Sequence, residues 1–434
     1  MDTLDLTQHW AGITSLVLFV VAYVLVIFEE NTQMRKSKPV LVAAGLIWAL
    51  IGIAYAQAGL SEAAHDHAVQ VIAEYGELFL FLLVAITFVN TMEERRTFDV
   101  LRARLVGLGL GFRPLFLLTG ILTFFLSSVL DNLTTALVMG AVVMAIGKGH
   151  PRFVVLGCIS TVVAANAGGA FSPFGDITTL MVWQKEKLSF FEFFDLFVPA
   201  LVNWLVPAAI MVFAIPDEKP KAREDLVPAK PGMWGVIVLF AVTIALAVGF
   251  KNFLSLPPAM GMMLGLGLLQ LWSYYLKVTG TRRGNEDMVL DALQLVARVE
   301  WDTLLFFFGI IFAVSGLGVL GYLGLASDLL YTGLGPTSAN IIIGVLSAIV
   351  DNIPLMFAVL TMDPAMSDGQ WLLITLTCGV GGSILSIGSA AGVALMGQAR
   401  GVYTFGAHLK WAWAVALGYG AAILVHLWLN AELF

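Results

Sequence analysis

The sequence predicts an all-α polytopic membrane protein with two inverted-topology repeats, each containing a re-entrant hairpin and an interrupted transmembrane helix. Three observations lead there: too few charges to coat a water-soluble fold, two apolar runs broken by Asp-Asn, and two Gly-Gly segments at matching positions. Of the 434 residues, 59% are hydrophobic and 12% charged, and the mean hydropathy is +0.90. A soluble domain carries about 25% charged residues. Runs 11–28, 39–57, 233–250 and 411–429 are long and uncharged enough to cross a hydrocarbon core of about 30 Å. The net charge of -7 resides mostly in loops, and no basic stretch interleaved with aromatics suggests nucleic acid. Cys158 and Cys378 lie in apolar runs and read as small buried hydrophobes, outside any disulfide or metal site. Asp2 and Asp5 precede the first run where a secretory leader would be basic, and no small-residue cleavage site follows, so this run reads as a retained span.

Full spans are expected at 11–28, 39–57, 71–91, 152–183 (interrupted), 190–215, 233–250, 256–277, 301–320, 369–399 (interrupted) and 407–430. Segments 114–147 and 338–366 are apolar runs split midway, and each half is shorter than the roughly 20 residues a crossing requires. They read as hairpins that enter and leave on one side. With both termini outside, only Lys185, Lys187 and Lys251 of the 23 Lys and Arg residues fall in outside loops, the asymmetry expected of cytoplasmic loops. Basic residues flank the first hairpin at both ends and the second at neither, so the two enter from opposite faces.

The chain also repeats itself. Glu74-Tyr75-Gly76-Glu77-Leu78 is similar to Glu300-Trp301-Asp302-Thr303-Leu304, and Ser128-Val129-Leu130-Asp131-Asn132 to Ala348-Ile349-Val350-Asp351-Asn352. Gly168-Gly169 followed by Gly175 matches Gly381-Gly382 followed by Gly388 at the same spacing. Five full spans separate the starts of the two copies, and an odd number turns the second upside down. The expected organisation is two leading helices in 1–70, repeat 1 in 71–215, connecting helices and cytoplasmic linkers in 216–300, and repeat 2 in 301–430. The linkers 216–232 and 278–298, charged or Pro-rich, are placed inside. Broken helices meeting near the midplane between inverted repeats are a transporter architecture.

The candidate chemistry sits at the breaks. In Leu130-Asp131-Asn132-Leu133-Thr134-Thr135 a carboxylate enters the membrane, at a cost of about 2.5–3.5 kcal/mol. Water, a cation or a proton must compensate it. Asn132, Thr134 and Thr135 supply neutral oxygens, and a broken helix frees carbonyls that suit a hard cation. The second copy is Val350-Asp351-Asn352-Ile353-Pro354, with Pro354 suited to the first turn of the next half-helix. Asp131 and Asp351 also suit N-capping. A cap alone needs no charge in lipid, and the two roles are compatible. The interrupted spans add Ser172 and Asp176 in one copy and Ser383, Ser386 and Ser389 in the other. Asp176 reads as a third site carboxylate or as the cap of the following half-helix, and the glycines as unwinding points or close-packing positions. Glu74, Glu77, Glu300 and Asp302 read as interfacial carboxylates, with Glu77 and Asp302 candidates for a proton relay. His65-Asp66-His67 is expected in a solvated outside loop, where metal binding or pH sensing is the sharper alternative. Gly261 and Gly265 form a small-xxx-small pattern that suggests a dimer contact.

The Asp-Asn-Leu-Thr-Thr and Asp-Asn-Ile-Pro tips, together with the two Gly-Gly interrupted spans, resemble the NhaD-type sodium/proton antiporters of the ion transporter superfamily, over roughly residues 71 to 430. Dicarboxylate members of that superfamily carry Ser-Asn-Thr at the hairpin tips. Asp131 and Asp351 stand in place of those serines, which favours a cation over an anion. The resemblance implies a scaffold to which residues 1–70 contribute, a moving transport domain with elevator-like motion, a homodimer, and a bacterial inner membrane with both termini periplasmic. The expected activity is secondary antiport of Na⁺, with Li⁺ as a second cargo, against H⁺, serving pH and sodium homeostasis. On this reading the chain is a transporter and not an enzyme, has no cofactor, and has Na⁺, Li⁺, H⁺ and the bilayer as partners. Asp131 and Asp351 would carry cation and proton alternately, and Asn132, Thr134, Thr135, Asn352, Ser172, Asp176, Ser383, Ser386 and Ser389 would line the site. The alternatives are a sodium-coupled anion or dicarboxylate carrier, an arsenite-type exporter, and, from another class, an intramembrane aspartyl protease. An anion carrier should show an Arg near the tips, and a protease a Gly-x-Gly-Asp partner motif, where Asp176 instead follows Pro173-Phe174-Gly175.

Overall fold

In a computed structural model, described for residues 4–32, 34–219 and 227–434, every regular element is helical. The major helices are α1 (Trp10–Ile27), α2 (Ser37–Gln57), α3 (Ser61–Glu94), α4 (Phe112–Ser127), α5 (Asn132–Ile146), α6 (Pro151–Ala170), α7 (Ile177–Gln184), α8 (Phe197–Met211), α9 (Met233–Leu254) and α10 (Pro258–Arg283). They continue with α11 (Trp301–Val319), α12 (Pro336–Leu346), α13 (Asn352–Met362), α14 (Asp368–Gly381), α15 (Ala390–Gln398), α16 (Phe405–Leu409) and α17 (Ala412–Leu429). Eight helical segments among the described residues are long and apolar enough to cross a membrane. The chain is thus an all-α, multi-pass membrane protein. Helix breaks fall between α4 and α5 and between α12 and α13, at the two Asp-Asn positions, and between α6 and α7 and between α14 and α15, within the two Gly-Gly segments. Residues 220–226 of the 216–232 linker, with Lys221 and Arg223, lie outside the described residues, as does Asp2.

Local chemistry sets these boundaries. Pro151, Pro258 and Pro336 occupy first-turn positions, where a missing N–H is harmless. Asp131, Asp176, Ser367 and Thr404 cap their helices through side-chain oxygens. Gly284 ends α10 in the left-handed region, with φ 61°.

Three expectations are corrected. His65-Asp66-His67 is helical, within the 34-residue α3, and no group of His, Cys, Asp and Glu among the described residues could hold a metal. No Gly or Pro interrupts 61–75, so a polar but helix-permissive stretch continues the span. The linker at 278–298 holds the end of α10 and a short helix, Ala292–Ala297. Gly261 and Gly265 pack within the chain: a Cβ on either would strike Ala247 or Thr243 of α9 within 2.6 Å. That pattern therefore serves α9–α10 packing.

The chain divides into two compact units, one of residues 1–91, 234–334 and 357–364, the other of 92–233, 335–356 and 365–434. In the first, α2 lies along α11. Gly309 and Gly316 allow the approach, facing Val40 and Ile47, and Trp48 Nε1 donates to Phe312 O at 2.9 Å. Tyr75 of α3 donates to Leu304 O at 2.9 Å.

In the second unit the end of the first helix before each tip, α4 and α12, is locked to an interrupted span by a matching pair of contacts. Ser127 Oγ donates to Ala165 O at 2.6 Å, and Ser347 Oγ to Cys378 O at 2.8 Å. A Cβ on Gly168 would sit 2.1 Å from Phe124 O, and one on Gly381 2.0 Å from Gly344 O. Only a residue without a side chain permits such backbone contact. Cys158 and Cys378 are buried free thiols.

Candidate ion-binding site

The break between α6 and α7 and the break between α14 and α15, with the two hairpin tips, meet in one polar cluster inside the second unit. Its centre is Asp176, only 5% exposed. Asp176 begins α7 as a capping box: Oδ1 accepts from Thr178 N at 3.2 Å, and Thr179 Oγ1 accepts from Asp176 N at 3.3 Å. The other carboxylate oxygen, Oδ2, accepts from both tip asparagines, Asn132 Nδ2 at 3.0 Å and Asn352 Nδ2 at 2.9 Å.

Asn166 joins the remaining parts. It is 1% exposed, near the C-terminal end of α6 in the Ala/Gly-rich stretch 164–170. Its Oδ1 accepts from Asn132 Nδ2 at 3.2 Å and from Ser389 Oγ at 3.1 Å. Its Nδ2 donates to Ser383 Oγ at 2.8 Å and Ser389 Oγ at 2.9 Å. One connected network therefore holds Asn132, Asn166, Asp176, Asn352, Ser383 and Ser389.

Other expected residues fall beside it. Asp131 caps α5, accepting from Thr134 N at 2.8 Å and Thr134 Oγ1 at 2.6 Å. Asp351 accepts from Ile353 N at 3.3 Å. Capping and proximity to the network thus coexist at both tips, because Asn132 and Asn352 are the next residues. Thr135 is buried, and its hydroxyl has no partner among the described residues. Ser172 closes its own turn, accepting from Phe174 N at 3.3 Å. Ser386 turns to Tyr403, with its Oγ 3.0 Å from the phenol oxygen. Glu77 and Asp302 belong to the first unit, where Asp302 accepts from Ser37 Oγ.

Sequence reasoning placed Asn166 in the interrupted segment without singling it out. The available signal was an amide in the middle of an apolar helix, where a polar side chain must find partners.

The hydrogen-bond donors to Asp176 are all neutral. A buried carboxylate with no cationic partner among the described residues requires a proton or a cation to neutralise it. The comparisons with known proteins give the family. The sequence model of the citrate transporter family matches residues 23–379. A protein named Na(+)/H(+) antiporter NhaD from Alkalimonas amylolytica is 56% identical over 99% of this chain and 93% of its own length. One of the same name from Halomonas elongata is 54% identical over 99% of the chain and 91% of its length. The chain belongs to the NhaD-type sodium/proton antiporters. A plant relative, sodium/proton antiporter 1 of Arabidopsis thaliana, is 34% identical over 94% of the chain and 71% of its length. Belonging to the NhaD type sets aside the intramembrane protease and makes the chain a secondary transporter.

Proposed function

We propose that the protein exchanges Na⁺, with Li⁺ as a second cargo, for H⁺ at the cluster centred on Asp176, and thereby serves sodium and pH homeostasis. The observation that carries the reading is the carboxylate of Asp176 held by Asn132 and Asn352 and, among the described residues, by no positive charge. Asp131 and Asp351 flank it as further carriers, and the oxygens of Asn166, Ser383, Ser389, Thr134 and Thr135 offer neutral ligands of the kind hard cations take. Ser172 and Ser386 shape the two breaks. Deprotonated, the cluster attracts a cation; protonated, it is neutral. Exchange follows because the empty charged state is too costly to carry across.

A dicarboxylate cargo would require cationic or strong donor groups for its charges. The network instead presents a carboxylate at its centre, with Asp131 and Asp351 beside it at the tips, which supports a cation although the family model is named for citrate. The remaining elements of the reading are two inverted repeats, residues 1–70 as part of a scaffold, a homodimer with elevator-like motion, an inner-membrane location with both termini periplasmic, and Glu77 and Asp302 as a proton relay. Repeat spacing and the charge asymmetry of the loops support the topology.

The test is dequenching of a pH-sensitive dye in everted vesicles from antiporter-deficient cells on addition of NaCl, LiCl or KCl. Wild type should release protons with Na⁺ and Li⁺. Asp176→Asn, Asp131→Asn and Asp351→Asn should each abolish the response at wild-type protein levels. No response to any of the three salts from well-expressed wild type would overturn cation exchange, and a fully active Asp176→Asn would overturn the assigned centre.

A further inference from the structure

The unwound segment between α14 and α15 carries two serines of the cluster, yet its backbone has lost helical partners. The carbonyls of Ser383 and Ile384 lie just past the end of α14, where a helix leaves acceptors unsatisfied. His408, on α16 and fully buried, reaches both: Nε2 is 2.9 Å from Ser383 O and 3.2 Å from Ile384 O. Two acceptor-only carbonyls assign the proton to Nε2. Nδ1 then accepts, and Tyr403 OH donates to it at 2.8 Å. With its proton committed, the Tyr403 oxygen accepts from Ser386 Oγ at 3.0 Å. The network closes with every group satisfied and the imidazole neutral.

This clamp holds an unusual backbone. Ser386 has φ 68°, in the left-handed region that disfavours residues other than Gly. A Cβ on Gly392 of α15 would lie 2.1 Å from Ser386 Oγ, so α15 has room for that turn only because residue 392 has no side chain. The His408 bonds fix Ser383 from its carbonyl side, while its hydroxyl meets Asn166 at 2.8 Å on the other.

We infer that His408, with Tyr403, is a positioning residue for cation binding: it fixes the unwound Ser383–Ser389 segment so that its hydroxyls reach Asn166. The inference rests on the exchange reading of the Asp176 cluster. His408 touches no transported ion; it acts through Ser383 and Ser386. Its removal should therefore act on ion affinity more than on turnover.

The experiment is the vesicle assay over a Na⁺ titration for wild type, His408→Ala, His408→Gln and Tyr403→Phe, with each protein quantified in the membrane. For His408→Ala the half-saturating Na⁺ should rise about tenfold while the saturating rate stays within about twofold, the signature of lost binding without lost turnover. Gln retains an N–H at similar reach and should restore most of the affinity. Tyr403→Phe should shift half-saturation in the same direction by about threefold, since the phenol's bonds to His408 Nδ1 and from Ser386 Oγ are lost while the His408 bonds to the two carbonyls remain. If His408→Ala fails to accumulate, Tyr403→Phe and His408→Gln decide. Unchanged half-saturation in Tyr403→Phe, or equal loss of rate and no change of affinity across the set, overturns the inference. Wild type that exchanges no cation overturns the exchange reading itself, and the inference falls with it; active wild type with unshifted variants overturns only the inference.

Discussion

Replacing Gly388 with Ala tests how tightly the second interrupted span must sit against its hairpin. A Cβ there would lie 1.8 Å from Ser347 O, whereas a carbon settles no closer than about 3.3 Å from a carbonyl oxygen. The segment must therefore move by about 1.5 Å. Ser347 resists, because its own Oγ is tied to Cys378 O at 2.8 Å. The neighbouring residue, Ser389, holds Asn166 through contacts of 2.9 and 3.1 Å, and such bonds do not survive stretching by more than about 0.5 Å. Overpacking costs roughly 1–3 kcal/mol and a buried hydrogen bond left unmade a similar amount. If about 2 kcal/mol of this appears in cation binding, the half-saturating Na⁺ rises about thirtyfold. Residue 388 is not in the left-handed region, so the effect is steric alone. The assay is Na⁺ titration of dye dequenching in everted vesicles, with protein levels matched. Gly397→Ala, with nothing within 4 Å of the new methyl group, is the silent control. Gly388→Ala at wild-type abundance with half-saturation within about twofold of wild type would refute the reasoning.

Two further outcomes are expected. Asn166→Ala strands Ser383 and Ser389 and removes one acceptor from Asn132, so half-saturating Na⁺ should rise by about tenfold or more in the same titration; wild-type affinity would show that the network does not organise the ion. Because protons and Na⁺ compete for one neutralising role, half-saturating Na⁺ should fall as pH rises, by up to about tenfold per pH unit while a single proton must leave, and then level off; titrations at a series of pH values check this, and an affinity independent of pH would exclude competition at a shared carboxylate.

Much of this arrangement was legible from residues. Asp131-Asn132 and Asp351-Asn352 split apolar runs whose halves are too short to cross, and a helix break falls at each. The Gly-Gly pairs marked both unwound spans because they allow backbone contacts no other residue fits. The failures share a cause. Asn166 sits in a regular helix, so no local break advertises it, and its importance depends on partners more than 30 residues away. His408 and Tyr403 are single residues near the end of the chain, with no motif, whose value lies entirely in the carbonyls they meet. The start of α3 reads as loop in the sequence because it is polar, yet polarity alone does not end a helix.

The caps of the two short half-helices differ in charge. Asp176 and Ser389 stand eight residues after Gly168 and Gly381 respectively, so they hold corresponding positions in the two halves. Likewise Asn166 corresponds to Gly379, each two residues before its Gly-Gly pair. Two identical halves would offer an ion a pair of equivalent seats and leave it free to hop between them. With a carboxylate at this position in one half and a hydroxyl in the other, the vestibule is lopsided: under the proposed exchange reading the ion would have one preferred lodging beside Asp176, and the opposing half would serve as its lining. On that reading, Ser389→Asp would restore the balance between the two positions and let the cradle retain two charges at once.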